Sequence, residues 1–307
     1  MICVKAPMRI SLFGGGADFP DYYEAYGATI VSFAITQYMH VIWNPRPTGG
    51  CRLRYSEVEE LDTFEKAKHT LVRAFARKYG IPEPGTLSIV SDLPKGTGLG
   101  SSSALSVCLT LLSDACRMGS FNLATTSFEV ERGITGCGIQ DHLPAAFGSF
   151  RAYELQSRGY IPMRTAPNSL RQVIEQYGVL LYTGVTHTAK DILPNWKDEW
   201  VLHEIQSIAK TARHRLLEMD FKLLVELLLA TNAIKMEIPN VVPEELRKQY
   251  EKAISYGAYA GKLLGAGAGG CWFFLVDSEN QDEFVKKMGM PRIPFKIAGY
   301  GVRRHTV

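Results

Sequence analysis

The chain has 307 residues, of which 46% are hydrophobic and 21% charged, and this composition is typical of a globular protein rather than a disordered one. A chain of this length exceeds one ordinary hydrophobic core and predicts two domains. Its formal net charge of only +3 does not favour a nucleic-acid-binding protein, which usually carries a concentrated basic patch.

The cysteines and the apolar segments indicate the cellular location of the protein. The six cysteines are scattered without a CxxC pair, so the sequence does not indicate a zinc site and favours reduced, buried thiols. The first segment lacks the pattern of a signal peptide, because Lys5, Pro7 and Arg9 interrupt it. The longest apolar run, 263–276, is glycine-rich and too short to span a bilayer. We therefore expect a cytoplasmic protein with no membrane or nucleic-acid partner.

Strands and helices alternate through the first half of the chain. Residues 28–35 and 38–43 are rich in β-branched and aromatic residues and predict two strands. Residues 62–79 predict a helix capped by Asp62 or Thr63, because apolar residues recur on one helical face before Gly80. Further elements are a strand at 86–90, a helix at about 102–118 and a helix that begins at Asn122 or Thr125.

Turn-forming residues concentrate between residues 155 and 170, and we place the boundary between two domains there, at 1–160 and 161–307. The pattern beyond the boundary is typical of an α+β domain. Its predicted elements are a strand at 179–183, two or three helices between 199 and 257, a strand at 271–276, a helix at about 280–288 and a last strand at 295–300.

The strongest indication of function is a glycine-rich segment at 94–104, which reads PKGTGLGSSSA. Its glycines let backbone N–H groups converge, and the helix that follows would favour an anion such as a phosphate group at its N-terminus. The segment is not a Walker loop, because no Gly-Lys-Ser/Thr follows, and it lacks the acidic partner of a dinucleotide-binding fingerprint. The alternative is an ordinary turn in which a serine caps a core helix.

Two further segments are rich in glycine. Residues 262–271, KLLGAGAGGC, lead into a predicted buried strand, and the alternative to ligand binding is a close-packed backbone crossing. Residues 5–18 place Arg9 in a strand-like segment that ends in three glycines and Asp18. The alternative for Arg9 is a solvated residue at a sheet edge. Because the loops at 94–104 and 262–271 lie in different predicted domains, we expect the two domains to meet over one ligand.

These three segments, in this order, resemble the conserved motifs of the galactokinase–homoserine kinase–mevalonate kinase superfamily. The second motif is matched from 94 to 102 and the third from 265 to 270. In the first motif Met8 replaces a glycine, and Gly15 and Gly16 replace a Glu-His pair. The matching residues of the first motif are Pro7, Arg9, Leu12, Gly14 and Asp18. The resemblance implies an α+β, two-domain kinase fold, with an N-terminal half like domain 2 of ribosomal protein S5 and a ferredoxin-like C-terminal half.

The departures from the superfamily pattern resemble its heptose-phosphate kinase branch. Residues 9–18, RISLFGGGAD, are similar to the branch pattern R-I-S-x-x-G-G-G-T-D, and GIQDH at 138–142 and LLYTG at 180–184 are similar as well. This resemblance implies ATP-dependent phosphorylation of a sugar or sugar phosphate, with D-glycero-D-manno-heptose 7-phosphate converted to the 1,7-bisphosphate as the favoured reaction. The alternatives are a kinase acting on free fucose, galactose or mevalonate, and a catalytically inactive relative that binds ligand. The protein would be a monomer or a homodimer.

The resemblance also implies which residues bind ATP and Mg²⁺. Ser102 and Glu131 would hold the ion, since a hydroxyl and a carboxylate oxygen suit a hard cation. The alternative for Glu131 is a surface residue on a helix. The implied ATP-binding residues are Lys95, Gly96, Thr97, Gly98, Leu99, Gly100, Ser101, Ser102 and Ser103.

The implied catalytic residues are Asp141, which would accept or orient the substrate hydroxyl proton, and Arg9, which would keep Asp141 ionised. His142 is expected to be structural. His187 would contact the substrate's own phosphate or, alternatively, belong to a surface loop. The implied substrate-binding residues are Gly14, Gly15, Gly16, Asp18, Asp141, Gly267 and Gly269.

Overall fold

The computed structural model describes residues 1–113, 119–157, 163–186, 192, 196 and 198–306. Two β-sheets and ten α-helices make up the described chain, in agreement with the predicted α+β class. The strands are β1 (Ile2–Phe13), β2 (Ala28–Pro45), β3 (Cys51–Arg54), β4 (Val58–Leu61), β5 (Gly85–Ser91), β6 (Phe150–Leu155), β7 (Met163–Thr165), β8 (Gly178–Tyr182), β9 (Ala258–Leu263), β10 (Cys271–Val276) and β11 (Arg303–Thr306). The helices are α1 (Pro20–Tyr26), α2 (Thr70–Tyr79), α3 (Ser101–Leu112), α4 (Ser120–Thr135), α5 (His142–Phe147), α6 (Asn168–Tyr177), α7 (Glu199–His214), α8 (Phe221–Glu237), α9 (Glu244–Ser255) and α10 (Gln281–Met288).

The first sheet is organised around β2, which pairs with several strands along its length. Its strand order is β11-β1-β2-β5-β3-β4, and β6 pairs with β2 and with β7. The first half of β2 pairs with β6 and its second half with β5, while β1 pairs antiparallel with most of the strand. Helices α2, α3, α4 and α5 pack with this sheet in one hydrophobic core.

The second sheet has three antiparallel strands in the order β8-β10-β9. Every residue of the central strand β10 is buried, which fits its uninterrupted apolar sequence. A shared core joins this sheet to the first: the Phe33 ring lies 5.4 Å from Phe150 of its own sheet and 6.0 Å from Phe273 of β10, measured between ring centroids. The two sheets are therefore packed against each other.

Most of the predicted elements are confirmed, although several of their bounds differ from the prediction. The two strands predicted at 28–35 and 38–43 are one continuous strand, β2. The helix α4 begins at Ser120, before the predicted Asn122 or Thr125. The helix predicted at 102–118 begins at Ser101 and is described as far as Leu112, and residues 114–118 lie outside the described part of the chain. Three helices, α7, α8 and α9, occupy 199–257 as predicted, and strand β9 follows them without having been predicted.

The helix predicted at 62–79 is two elements, a 3-10 turn at Phe64–Lys66 and helix α2. Ala67 between them has an extended backbone, and the carboxylates of Glu83 and Glu59 accept hydrogen bonds from the backbone N–H groups of Phe64 and Lys68. Side chains distant in sequence thus provide partners that a continuous helix would not need.

The last strand predicted at 295–300 is also wrong, because the strand is β11 at Arg303–Thr306. Residues 299–301 instead cross helix α5 at very short range. A Cβ atom on Gly301 would lie 2.1 Å from the carbonyl oxygen of Ala146. Within 295–300 the pairing is limited to an isolated bridge between Ile297 and Ile35 of β2. Strand β11 returns to the first sheet beside β1.

The boundary proposed at residue 160 falls in 158–162, which lies outside the described residues. Within the described ranges, no helix combines the length and apolar character that crossing a membrane requires.

Candidate active site

A central cavity with a volume of about 1150 Å³ lies where the three glycine-rich segments meet. It is lined by residues from both sheets and from α3, α4 and α8. The candidate residues that line it are Arg9, Gly15, Gly16, Asp18, Lys95, Gly96, Gly98, Gly100, Ser101, Ser102, Ser103, Glu131, Asp141, Gly267 and Gly269. Thr97 and Leu99 are buried beneath the loop, and neither they nor Gly14 line the cavity.

The loops at 95–100 and 265–270 are in direct backbone contact. Gly98 and Gly265 both have positive φ angles, and a Cβ atom added to Gly265 would lie 2.8 Å from the Cα of Gly98. No other residue type would allow this approach without displacing backbone. Gly100 then provides the left-handed residue from which α3 begins at Ser101. The N-terminal N–H groups of α3 therefore begin at the cavity wall, in a position that suits a phosphate group.

Arg9 and Asp141 form a two-point ion pair in the cavity wall. The Arg9 Nε donates to Asp141 Oδ1 at 2.7 Å and its Nη2 donates to Oδ2 at 2.7 Å. A third donor, Nη1, reaches the carbonyl oxygen of Gly98 at 2.5 Å. The Arg9 side chain is buried, whereas the Asp141 carboxylate keeps 22% of its surface exposed. The sheet-edge alternative for Arg9 is therefore wrong, and the Asp141 side chain is held in a fixed orientation at the cavity surface.

The Asp18 carboxylate is almost completely buried at the turn that follows β1. Its two oxygens accept hydrogen bonds from the backbone N–H groups of Gly16 and Gln140, each at 3.1 Å. Burial and the nearby charge of Asp141 raise its pKa to about 6, and the two N–H groups limit the rise. Gly138 permits this packing, because a Cβ atom there would lie 1.9 Å from an Asp18 oxygen. Asp18 thus joins the first glycine segment to the turn that carries Asp141.

Glu131 is buried on α4 and faces the start of α3. Its Oε2 accepts a hydrogen bond from the Ser106 hydroxyl at 2.9 Å and lies 2.8 Å from Nε2 of His142. Although burial raises the pKa of the Glu131 carboxyl, His142 and the hydroxyls of Ser102 and Ser106 outweigh burial and hold the pKa below its usual value. The surface-residue alternative for Glu131 is wrong. His142 is a structural partner of Glu131, although its Nδ1 atom has no partner among the described residues.

Sequence reasoning missed two buried lysines in the cavity wall. Lys262 extends from β9, and its Nζ donates to the carbonyl oxygens of Ser11 at 3.1 Å and Leu12 at 2.7 Å. Lys235 extends from α8, and its Nζ donates to the carbonyl oxygens of Leu263 at 2.9 Å and Gly265 at 2.7 Å. The sequence contains a signal for both residues. Lys262 interrupts the apolar strand before the third glycine segment, and Lys235 interrupts the apolar face of α8.

One end of the cavity is apolar and lies beside β5 and α2. Its apolar lining includes Met39, Leu71, Ile89, Leu93 and Leu105. The sequence alone did not predict this pocket. Trp196 lines another part of the cavity and donates from its ring N–H to the carbonyl oxygen of Ala266 at 2.9 Å. His187 lies outside the described residues.

The cavity thus combines groups that suit the transfer of a phosphoryl group. It has a backbone loop and helix terminus for phosphates, a hydroxyl and a carboxylate that suit a hard cation, and a carboxylate beside an arginine for a hydroxyl group.

Two family models match the chain. The model described as the GHMP kinases N terminal domain matches residues 65–149, and the model described as GHMP kinases C terminal matches residues 212–289. A curated relative from Campylobacter jejuni, named D-glycero-alpha-D-manno-heptose 7-phosphate kinase, is 31% identical over 319 residues, which cover 94% of this chain and 93% of the relative.

Solved structures have the same fold. A structure titled as a D-glycero-D-manno-heptose 1-phosphate kinase from Bacteroides thetaiotaomicron superposes with a TM-score of 0.82 at 21% identity, covering 100% of this chain and 99% of that one. A putative sugar kinase from Campylobacter jejuni superposes with a TM-score of 0.77 at 25% identity, covering 100% of this chain and 98% of that one. The two-domain kinase fold implied by the three motifs is confirmed.

Proposed function

The chain belongs to the GHMP kinase family, and from this premise we propose that it transfers the γ-phosphoryl group of ATP to a hydroxyl of a sugar phosphate. The observation that carries the proposal is the Arg9–Asp141 ion pair, which lies in the wall of the cavity that also contains the glycine loop before α3. Phosphoryl transfer depends chiefly on positioning and on stabilising charge, and these groups supply both.

In this proposal the glycine loop and the N-terminus of α3 bind the triphosphate. The loop residues 95–103 offer backbone N–H groups and serine hydroxyls to phosphate oxygens. The apolar end of the cavity, with Met39, Leu71 and Ile89, suits the faces of an adenine ring, because flat aromatic ligands bind against apolar side chains.

Ser102 and Glu131 are the residues that would hold Mg²⁺. When bound, the ion would neutralise charge on the phosphate oxygens of ATP. Cys137 lies with Glu131 and His142 in a group whose ligand atoms are all within 4.8 Å of one another. Burial raises the pKa of the Cys137 thiol, however, so this sulfur stays protonated and is a poor ligand for a soft metal. The hydroxyl and carboxylate oxygens that remain favour a hard cation.

Asp141 would accept the proton of the attacking hydroxyl, since its carboxylate is the exposed partner of the ion pair. Arg9 would hold that carboxylate in position through its two hydrogen bonds and offset negative charge near the transferred group. Asp18, with Gly14, Gly15 and Gly16, would border the sugar on one side. Gly267 and Gly269 would border it on the other.

The favoured substrate is D-glycero-D-manno-heptose 7-phosphate, with the 1,7-bisphosphate as product. One support is the 31% identity to the Campylobacter jejuni relative named as a heptose 7-phosphate kinase. The other is that Gly15 and Gly16 replace the Glu-His pair of the first superfamily motif. Losing an acidic side chain at this place removes a charge that would repel an anionic sugar.

A substrate panel tests the proposal. The purified protein is incubated with ATP and Mg²⁺ and with heptose 7-phosphate, free heptose, fucose, galactose or mevalonate, and products are identified by mass spectrometry. The proposal expects heptose 7-phosphate to have the highest kcat/KM and to become a bisphosphate at its anomeric carbon. A higher kcat/KM for a free sugar or for mevalonate would overturn the sugar-phosphate assignment. If none of the five compounds were phosphorylated, the proposed kinase activity toward these alcohols would be wrong.

A further inference from the structure

Lys235 and Lys262 have no role in the mechanism proposed above, although both line the same cavity as Arg9. Both side chains are almost completely buried. Within the described ranges neither ammonium group has a carboxylate partner, whereas Arg9 is paired with Asp141. A buried ammonium group without a counter-ion is costly, so an anion in the cavity would stabilise the charged form of each lysine.

The hydrogen bonds of the two lysines leave each of them a donor for such an anion. An ammonium group has three N–H bonds. Each Nζ directs two of them to backbone carbonyl oxygens, Ser11 and Leu12 for Lys262, and Leu263 and Gly265 for Lys235. These carbonyl bonds hold each side chain in a defined direction, which lowers the entropic cost of binding a ligand.

Lys262 lies beside the first glycine segment, whereas Lys235 bonds to the third glycine segment and approaches the first through Trp196. Lys262 contacts the carbonyl groups of Ser11 and Leu12, two and three residues after Arg9 in β1, and the Ser11 hydroxyl bonds to Gln140 beside Asp141. The Lys235 Nζ lies 5.3 Å from the ring centre of Trp196, which in turn packs against Gly16. The first glycine segment is the side on which the sugar, rather than the adenine ring, would bind.

The electrostatic environment of the two lysines would favour an anion beside them. Burial, the nearby Lys262 and Arg9 lower the pKa of Lys235, and burial and Arg9 lower the pKa of Lys262 to about 7. A phosphate group between the two lysines would relieve this repulsion and favour their charged forms.

We propose that Lys235 and Lys262 form a subsite for a phosphate monoester, namely the phosphate that the sugar substrate already carries and that is not transferred. This inference rests on the proposed function for its substrate. The chemistry recognised is that of a dianion with three terminal oxygens, which two directed ammonium groups can bind together.

The test compares Lys235→Gln and Lys262→Gln with Lys222→Gln. Lys222 is a matched control because it is an exposed lysine at the start of α8, the helix that carries Lys235. Values of kcat/KM are measured for heptose 7-phosphate and for free heptose, together with the KM for ATP. We expect each cavity variant to lose about tenfold to a hundredfold on the phosphorylated sugar, as for a lost charge-assisted hydrogen bond. Free heptose and the ATP KM should change by less than about threefold.

The result can contradict the inference in two ways. Equal losses on both sugars would show that the lysines support the fold or the general site. A raised KM for ATP with unchanged discrimination between the sugars would show that they bind the nucleotide. Lys235→Arg provides a rescue control, because it keeps the cation and should retain more of the preference for the phosphorylated sugar than Lys235→Gln.

Binding of inorganic phosphate separates this inference from the proposed function. Thermal unfolding is followed with increasing phosphate in the presence of saturating ADP, which occupies the nucleotide site. Stabilisation by phosphate should be present in the wild type and in Lys222→Gln and absent in both cavity variants. If the panel finds no sugar-phosphate turnover but this pattern persists, the proposed function fails and the anion subsite stands. If all four proteins respond equally, the subsite fails whatever the substrate.

Discussion

Arg9 and Asp141 are 132 positions apart in the chain, yet two guanidinium nitrogens of Arg9 lie 2.7 Å from the two carboxylate oxygens of Asp141. Strand β1 carries the arginine, and the turn before α5 carries the aspartate. The same guanidinium bonds to the carbonyl oxygen of Gly98, so one side chain connects the glycine loop before α3 to the carboxylate that is the candidate base.

Asp141→Asn should retain nucleotide binding and lose about 10² to 10⁴ in kcat, because an amide cannot accept the hydroxyl proton. Steady-state kinetics and titration with a fluorescent ATP analogue measure the two effects. Asp62→Asn, at an exposed position far from the cavity, is the control and should behave as wild type. A variant that kept more than about a tenth of wild-type turnover would exclude Asp141 as the base.

Glu131→Gln should raise the Mg²⁺ concentration needed for half-maximal activity while leaving the sugar KM nearly unchanged. The amide is a weaker ligand for a hard cation than the carboxylate, and it also weakens the contact with His142. The measurement is a Mg²⁺ titration of activity at saturating ATP and sugar. Glu129→Gln is a matched control from the same helix, since its side chain is largely exposed. Identical titrations for the two variants would contradict the metal assignment.

Asp18→Ala should raise the sugar KM by about tenfold or more and leave the ATP KM nearly unchanged. The substitution removes a cavity carboxylate and leaves the N–H groups of Gly16 and Gln140 without their acceptors. Asp21→Ala, three residues away and exposed, serves as the control. Equal changes in both KM values would instead indicate that Asp18 only supports the turn.

Lys262 should make the stability of the protein depend on pH in the alkaline range. Its pKa is about 7 in the folded protein and close to the ordinary value of 10.5 when unfolded, so between these values the unfolded chain binds more protons. The free energy of unfolding of the wild type should therefore rise with pH relative to that of Lys262→Met, by at most about 1.4 kcal/mol per pH unit.

Urea unfolding of both proteins between pH 7 and pH 10 measures this difference. Lys222→Met is the control, because its ammonium group is exposed in the folded protein and its difference from wild type should not vary with pH. A wild-type advantage over Lys262→Met that is constant or that decreases with pH would contradict a buried, destabilised cation at this position.

The sequence by itself determined the features that depend on local chemistry. The glycines of the segments at 94–104 and 262–271 predicted two loops with unusual backbone, because glycine adopts positive φ angles such as those at Gly98 and Gly265 without steric cost. The apolar run at 271–276 predicted a buried strand in the same way. The order of the three segments then identified the family, and with it the candidate roles of Arg9, Glu131 and Asp141.

Only the tertiary structure decided which charged side chains are buried and where the predicted helix is interrupted, because both depend on contacts with other parts of the chain. The helix predicted at 62–79 is interrupted since Glu59 and Glu83 accept N–H groups on either side of Ala67. Lys235 and Lys262 each interrupt an apolar run, but the sequence does not say what the two side chains contact. The pairing of β9 with β10, and the packing of α8 against β9, bury them, and burial converts them from solvated charges into directed donors in the cavity wall.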